Sequence, residues 1–116
     1  MDRKTLKLSI IIEKENTMSR TPIHPGEILG DELEALNMSA AELARVLDVP
    51  PNRITQITAG KRAITADTAL RLAKYFGTSP ELWMNLQKLY ELDCACMEIG
   101  DQLIHIPQRT DHRPTA

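Results

Sequence analysis

The chain has 116 residues, 42% of them hydrophobic but only 3% aromatic, with a formal net charge of −2. That length supports one ordinary domain with a modest core, and the scarcity of aromatics points to the Leu/Ile/Ala/Met core of a small helical protein. No apolar run is long enough to span a membrane. The partly apolar stretch Leu6 to Ile12 runs into Glu13, Lys14 and Glu15 with no small-residue cleavage site, so a secretory leader is not expected and the cytoplasm is the expected compartment.

Residues 1–21 differ in character from the rest of the chain. Leu8 to Ile12 reads as a short β-type run and Glu13 to Arg20 as a polar linker. This region is open to three readings: an arm, an added strand, or the product of a start codon upstream of Met18. His24-Pro25-Gly26 is a breaker cluster, after which Ile28, Leu29, Leu33 and Leu36 recur at helical spacing and predict a helix over 26–36, stopped at Asn37. Ser39 with Glu42 three residues later forms a capping box and opens a second helix at Ala40. Its apolar face is Leu43, Ala44 and Leu47. Asp48-Val49-Pro50 makes a turn, and Pro51 suits the first position of a third helix over 51–59, where its missing N–H costs nothing. That helix should bury Ile54 and Ile57 and end at Gly60.

Thr65 is expected to cap a fourth helix over 66–76 that buries Ala69, Leu70, Leu72, Ala73 and Phe76 and closes at Gly77. Ser79-Pro80-Glu81 starts a fifth, with a capping residue, a helix-starting proline and an acidic first turn. This helix should reach residue 92 or about 99 and break at Gly100. Leu103, Ile104 and Ile106 are expected to form a last packed segment, and residues 108–116 a polar tail. The organisation expected is therefore an all-α, five-helix domain over 22–107, preceded by an arm or short strand.

The middle of the chain carries the pattern of a helix-turn-helix. Ala44 is small where two helices meet, Leu43 and Leu47 point inward, Val49 follows the turn, and Ile54 and Ile57 lie three apart on the third helix. The turn position often held by glycine is Asp48, which tolerates a left-handed backbone better than most residues. A plain helical bundle would explain the same apolar positions. It would not require the exposed start of the third helix to carry Asn52, Arg53, Thr55 and Gln56, whose side chains suit base edges: amides for adenine, arginine for guanine, a threonine methyl for thymine.

Charge is distributed unevenly. Ser39 to Thr65 holds Arg45, Arg53, Lys61 and Arg62 against Glu42 and Asp48, a net +2, whereas Gly26 to Leu36 carries only acidic charges, at Glu27, Asp31, Glu32 and Glu34. Lys61 and Arg62 are placed to neutralise phosphates, and the helix starts at Ser39 and Thr65 can offer backbone N–H groups to them. Cys94 and Cys96, two apart on a helix, do not face each other and make a poor disulfide or metal clip. His24, His105 and His112 match no metal spacing, and Ser39 and Ser79 are better explained as caps than as nucleophiles. Neither an enzyme nor a cofactor or metal site is expected. Leu82, Trp83, Leu86, Leu89, Tyr90 and Met97 cover more than one side of the fifth helix, which suggests a second copy of the chain as partner.

His24-Pro25-Gly26-Glu27-Ile28-Leu29, the loop Gly60-Lys61-Arg62-Ala63-Ile64-Thr65, Ala69-Leu70-Arg71-Leu72-Ala73 and the run from Phe76 to Gln87 resemble the HigA family of addiction-module antitoxins, within the Xre/lambda-repressor-like class. The resemblance implies a dimer that binds double-stranded operator DNA, represses its own operon and neutralises a HigB-type, RelE-like mRNA-cleaving toxin. Pro51 stands where relatives often carry a polar or basic residue, so one possible DNA contact is missing. The alternatives are a stand-alone regulator without a toxin, or a toxin-binding module with little DNA binding, in which the acidic first helix docks a basic RNase surface.

Overall fold

In the computed structural model, residues 20–110 are described. The run Leu8 to Ile12, expected as an arm or strand, lies outside them, as does the end of the polar tail. The five helices are, in chain order, α1 Pro25–Ala35, α2 Ala40–Leu47, α3 Pro51–Thr58, α4 Ala66–Phe76 and α5 Pro80–Leu103. No strand occurs among the described residues.

The core is drawn from all five helices. Ile28, Leu29 and Leu33 of α1, Leu43, Ala44 and Leu47 of α2, Ile54 and Ile57 of α3, Ala69, Leu72 and Ala73 of α4, and Trp83 and Leu86 of α5 are buried together with Ile64. Helix α2 packs on α3, α4 on α5, and α1 bridges α3 and α5. Ala44 is fully buried in α2, where a larger side chain would push the helices apart. The closest approach involves Gly26. A Cβ there would overlap the carbonyl of Ile57, so the start of α1 can lie against the end of α3 only because position 26 has no side chain.

Four helices end in one way. Asn37, Asp48, Gly60 and Gly77 all take the left-handed conformation that stops a helix and returns its N–H groups to the last free carbonyls. At the end of α2, Asp48 (φ 60°) donates to the Arg45 carbonyl and Val49 to that of Ala44, at 3.2 and 3.0 Å. This is the tight turn the sequence places at 48, made without glycine.

Three expectations are corrected. Helix α5 runs through Gly100 to Leu103, because one glycine costs a helix interior only about 1 kcal/mol. Leu103, Ile104 and Ile106 do not pack; each is exposed. Leu70, expected inside, is 60% exposed: one residue on from the buried Ala69, it is turned about 100° away from the core. It borders an open groove of about 520 Å³ with Val46, Lys74 and Tyr75.

Candidate nucleic-acid interface

Helix α3 presents a polar face over an apolar one. Ile54 and Ile57 are fully buried, and Asn52, Thr55 and Gln56 are exposed on the opposite side. The helix starts on Pro50 and Pro51, with no side chain capping it. The Thr55 hydroxyl donates back to the Asn52 carbonyl at 3.3 Å.

Arg53 sits differently. Its guanidinium donates to the Asp67 carboxylate of α4 at 2.6 Å, and its side chain is 26% exposed. Asp67 also accepts from Arg71 at 3.1 Å, and Arg71 donates in turn to the Leu47 carbonyl at 2.7 Å. The hydrogen bond from Arg71, and then the neighbouring Arg53, hold the Asp67 carboxyl below its usual range. This chain of contacts ties α3 to α4 and to the end of α2, fixing the angle of the helix-turn-helix. The structure therefore groups Asn52, Thr55 and Gln56 on an open face and turns Arg53 toward α4.

The loop after α3 carries the basic pair. Lys61 is exposed and makes no ion pair among the described residues. Arg62 reaches back to α3, its guanidinium donating to the Gln56 side-chain oxygen at 3.2 Å. Ser39 caps α2 as expected: its hydroxyl accepts from the Glu42 N–H at 3.1 Å while Glu42 accepts from the Ser39 N–H at 3.3 Å. Thr65 occupies the cap position of α4 with extended backbone, but its side chain makes no cap hydrogen bond.

Sequence reasoning missed the supports behind this face. The His24 Nδ1 accepts from the Gly26 N–H at 2.9 Å and caps α1, and the ring lies edge-on to Tyr90 of α5, centroids 4.8 Å apart. Burial lowers the pKa of His24, and a hydrogen bond to the Arg62 main chain pulls it the other way. Gln87 is buried; it accepts from the Ile64 N–H at 2.9 Å and donates to Glu91 at 2.7 Å, holding the loop before α4. Local spacing offered signals for Asp67 with Arg71, Gln87 with Glu91 and His24 with Gly26; the contacts of Arg53 with Asp67, Gln87 with Ile64 and His24 with Tyr90 join residues far apart in sequence.

The residues expected at a dimer interface divide. Trp83 is fully buried, its indole N–H donating to the Thr78 hydroxyl at 3.0 Å, and Leu86 is 5% exposed; both belong to the protomer's own core. Leu82, Leu89 and Tyr90 are half-buried. The exposed apolar side chains of α5 lie further on, at Leu92, Met97, Ile99 and Leu103. Cys94 and Cys96 form no disulfide. Among the described residues no cluster of three or more His, Cys, Asp or Glu is arranged to hold a metal, and no helix is long and apolar enough to cross a membrane.

This geometry defines a helix-turn-helix protein, and the helix-turn-helix family model matches residues 29–83. Virulence-associated protein I of Dichelobacter nodosus is 48% identical over 92 residues, 78% of this chain and 85% of that protein. An addiction module antidote protein of the HigA family from Coxiella burnetii is 51% identical with a TM-score of 0.75, over 78% of this chain and all of that one. The antitoxin HigA of Pseudomonas aeruginosa, solved with the higBA promoter, is 45% identical with a TM-score of 0.73, over 78% of this chain and 99% of that one. The chain belongs to the HigA family of helix-turn-helix addiction-module antitoxins, a family of regulators and not of enzymes.

Proposed function

We propose that this protein is an operator-binding antitoxin of the cytoplasm. It acts as a homodimer that sets α3 of each protomer in the major groove of its own promoter, represses that operon and neutralises a HigB/RelE-like, mRNA-cleaving toxin. One observation carries the reading: the open face Asn52, Thr55 and Gln56 on α3, with Lys61 and Arg62 beside it, in a chain 45% identical to an antitoxin solved on promoter DNA. Asn52 is suited to bond adenine through its amide, and Thr55 to meet a thymine methyl. Arg53, engaged by Asp67, acts by positioning α3. Lys61 meets phosphate, and the helix starts at Ser39 and Thr65 offer backbone N–H groups to the same strand. Because Trp83 and Leu86 are taken up in the protomer's core, the second copy covers the exposed apolar side of the later turns of α5.

The test uses the full chain, its own promoter fragment and the adjacent reading frame. Without toxin, the protein should protect a pseudo-palindrome with half-sites about one helical turn (~10 bp) or a multiple apart. Lys61→Ala should weaken operator and random DNA alike and reduce the salt slope by about one. Co-expression should restore growth arrested by the adjacent gene product. Rescue without promoter binding overturns the repressor half of the reading, and binding without rescue overturns the toxin half.

A further inference from the structure

We infer that Gln56 and Arg62 form a single reading unit that offers only hydrogen-bond donors, and that each operator half-site sets a guanine against it. The inference rests on the DNA-binding function just proposed and names the base that this part of the face selects.

Arg62 is brought to Gln56 by the backbone. Gly60 (φ 76°) donates its N–H to the Ile57 carbonyl and Lys61 donates to the Gln56 carbonyl, at 3.0 and 2.9 Å. This pair of bonds folds the chain back over the last turn of α3. The His24 ring, fixed by the Gly26 N–H and by Tyr90, lies beside Gly60 at this turn. From there the guanidinium donates to the Gln56 side-chain oxygen at 3.2 Å, across six residues.

That bond decides what the amide can read. A guanidinium has no acceptor, so the opposite amide orientation would set donor against donor. The oxygen of Gln56 therefore faces Arg62, and its NH₂ is the group left to present. A free glutamine reads adenine by accepting from N6 and donating to N7; with its oxygen engaged, only the donating half remains. Arg62 adds further N–H donors and a charge that strengthens them. In the major groove guanine alone sets two acceptors, N7 and O6, side by side, whereas adenine mixes acceptor with donor and cytosine shows a donor. An all-donor pair fits guanine. Lys61 is left to the phosphates.

The experiment selects duplexes from a pool with randomised half-sites, using the full-length protein and its Arg62→Ala, Arg62→Lys and Gln56→Ala variants, and measures affinities for the selected sites. Both side chains are exposed, so the variants retain the fold. The parent protein should select guanine at one position per half-site, and adenine or 7-deazaguanine there should cost about 10-fold in affinity. Arg62→Ala frees the amide and should move the preference at that position from guanine toward adenine by about 10-fold. Arg62→Lys should keep the salt dependence and lose most of the guanine preference; Gln56→Ala should weaken it without a switch to adenine. If Arg62→Ala weakens all duplexes equally with base preference unchanged, Arg62 is a phosphate contact and the inference is overturned. Selection of adenine by the parent protein overturns it too. A parent protein that selects no sequence over random DNA sinks the DNA-binding reading itself, an outcome distinct from both.

Discussion

The two halves of α5 draw on similar apolar residues and put them to different use. Through Tyr90, the helix lies along α4 and sends Trp83, Leu86 and Gln87 inward. From Leu92 on, it leaves Leu92, Met97, Ile99 and Leu103 on the surface. The cause is length. Helix α4 has 11 residues and α5 has 24, so at 1.5 Å per residue α5 outruns its partner by roughly 20 Å. Burial along a helix is decided by what lies beside it, and a hydropathy pattern alone does not distinguish the half that completes the core from the half that passes beyond it. Arg20 marks the boundary: its guanidinium pairs with the buried Asp93 carboxylate at 2.8 Å, fastening the incoming chain to α5 where the packed half ends.

Truncation should separate the halves most sharply at Trp83. Trp83→Ala removes the largest fully buried side chain and is expected to cost about 3–5 kcal/mol, read from the urea midpoint. Met97, 72% exposed, should cost less than about 0.5 kcal/mol on the same change. Equal losses at the two positions would erase the distinction. The next effect is polar. Gln87→Ala leaves the Ile64 N–H without its acceptor in the interior, and should cost about 1–3 kcal/mol. A loss below that range would mean that the loop before α4 relaxes and lets water reach the amide.

The legibility of the sequence divides in the same way, between local and remote causes. The capping box of Ser39 and Glu42, the left-handed Asp48, the bounds of α4 and the inward pair Ile54 and Ile57 all depend on residues within one or two turns, and each is found as expected. Arg53 looked like a free side chain because its partner, Asp67, lies 14 residues away on another helix. Trp83 looked like an interface residue because only the packed structure shows α4 and Thr78 around it. Gln87 and His24 belong to blocks that carry the family resemblance, yet nothing in their spacing announced that one holds Ile64 and the other meets Tyr90.

His24 gives the packed half a pH dependence. Burial lowers its folded pKa below the ordinary value of 6.5, so between the two values the unfolded chain binds more protons than the folded one. The stability this contributes is complete above about pH 6.5 and is lost as pH falls through the folded pKa, when protonation of Nδ1 removes the acceptor for Gly26. Urea midpoints from pH 7.5 to 5 should fall more steeply for the parent protein than for His24→Asn, which keeps a capping acceptor but does not titrate. Parallel slopes would assign the pH dependence to the carboxylates instead.

The smallest expected change in stability belongs to the distal half. Met97→Lys combined with Leu92→Lys adds charge to side chains that are 72% and 57% exposed, and should alter the stability of the folded protomer by no more than about 0.5 kcal/mol. If a second copy covers this side of α5, each lysine must be desolvated in the dimer, and solution mass at micromolar concentration should drop to that of one chain. Operator affinity should fall with it, because two linked half-sites bind far more tightly than either alone, while each protomer keeps α3 and its reading face intact. A double variant that stays dimeric would move the second copy to the half-buried Leu82, Leu89 and Tyr90, at the edge of the packed half, where the same substitutions would then cost protomer stability as well as dimerisation.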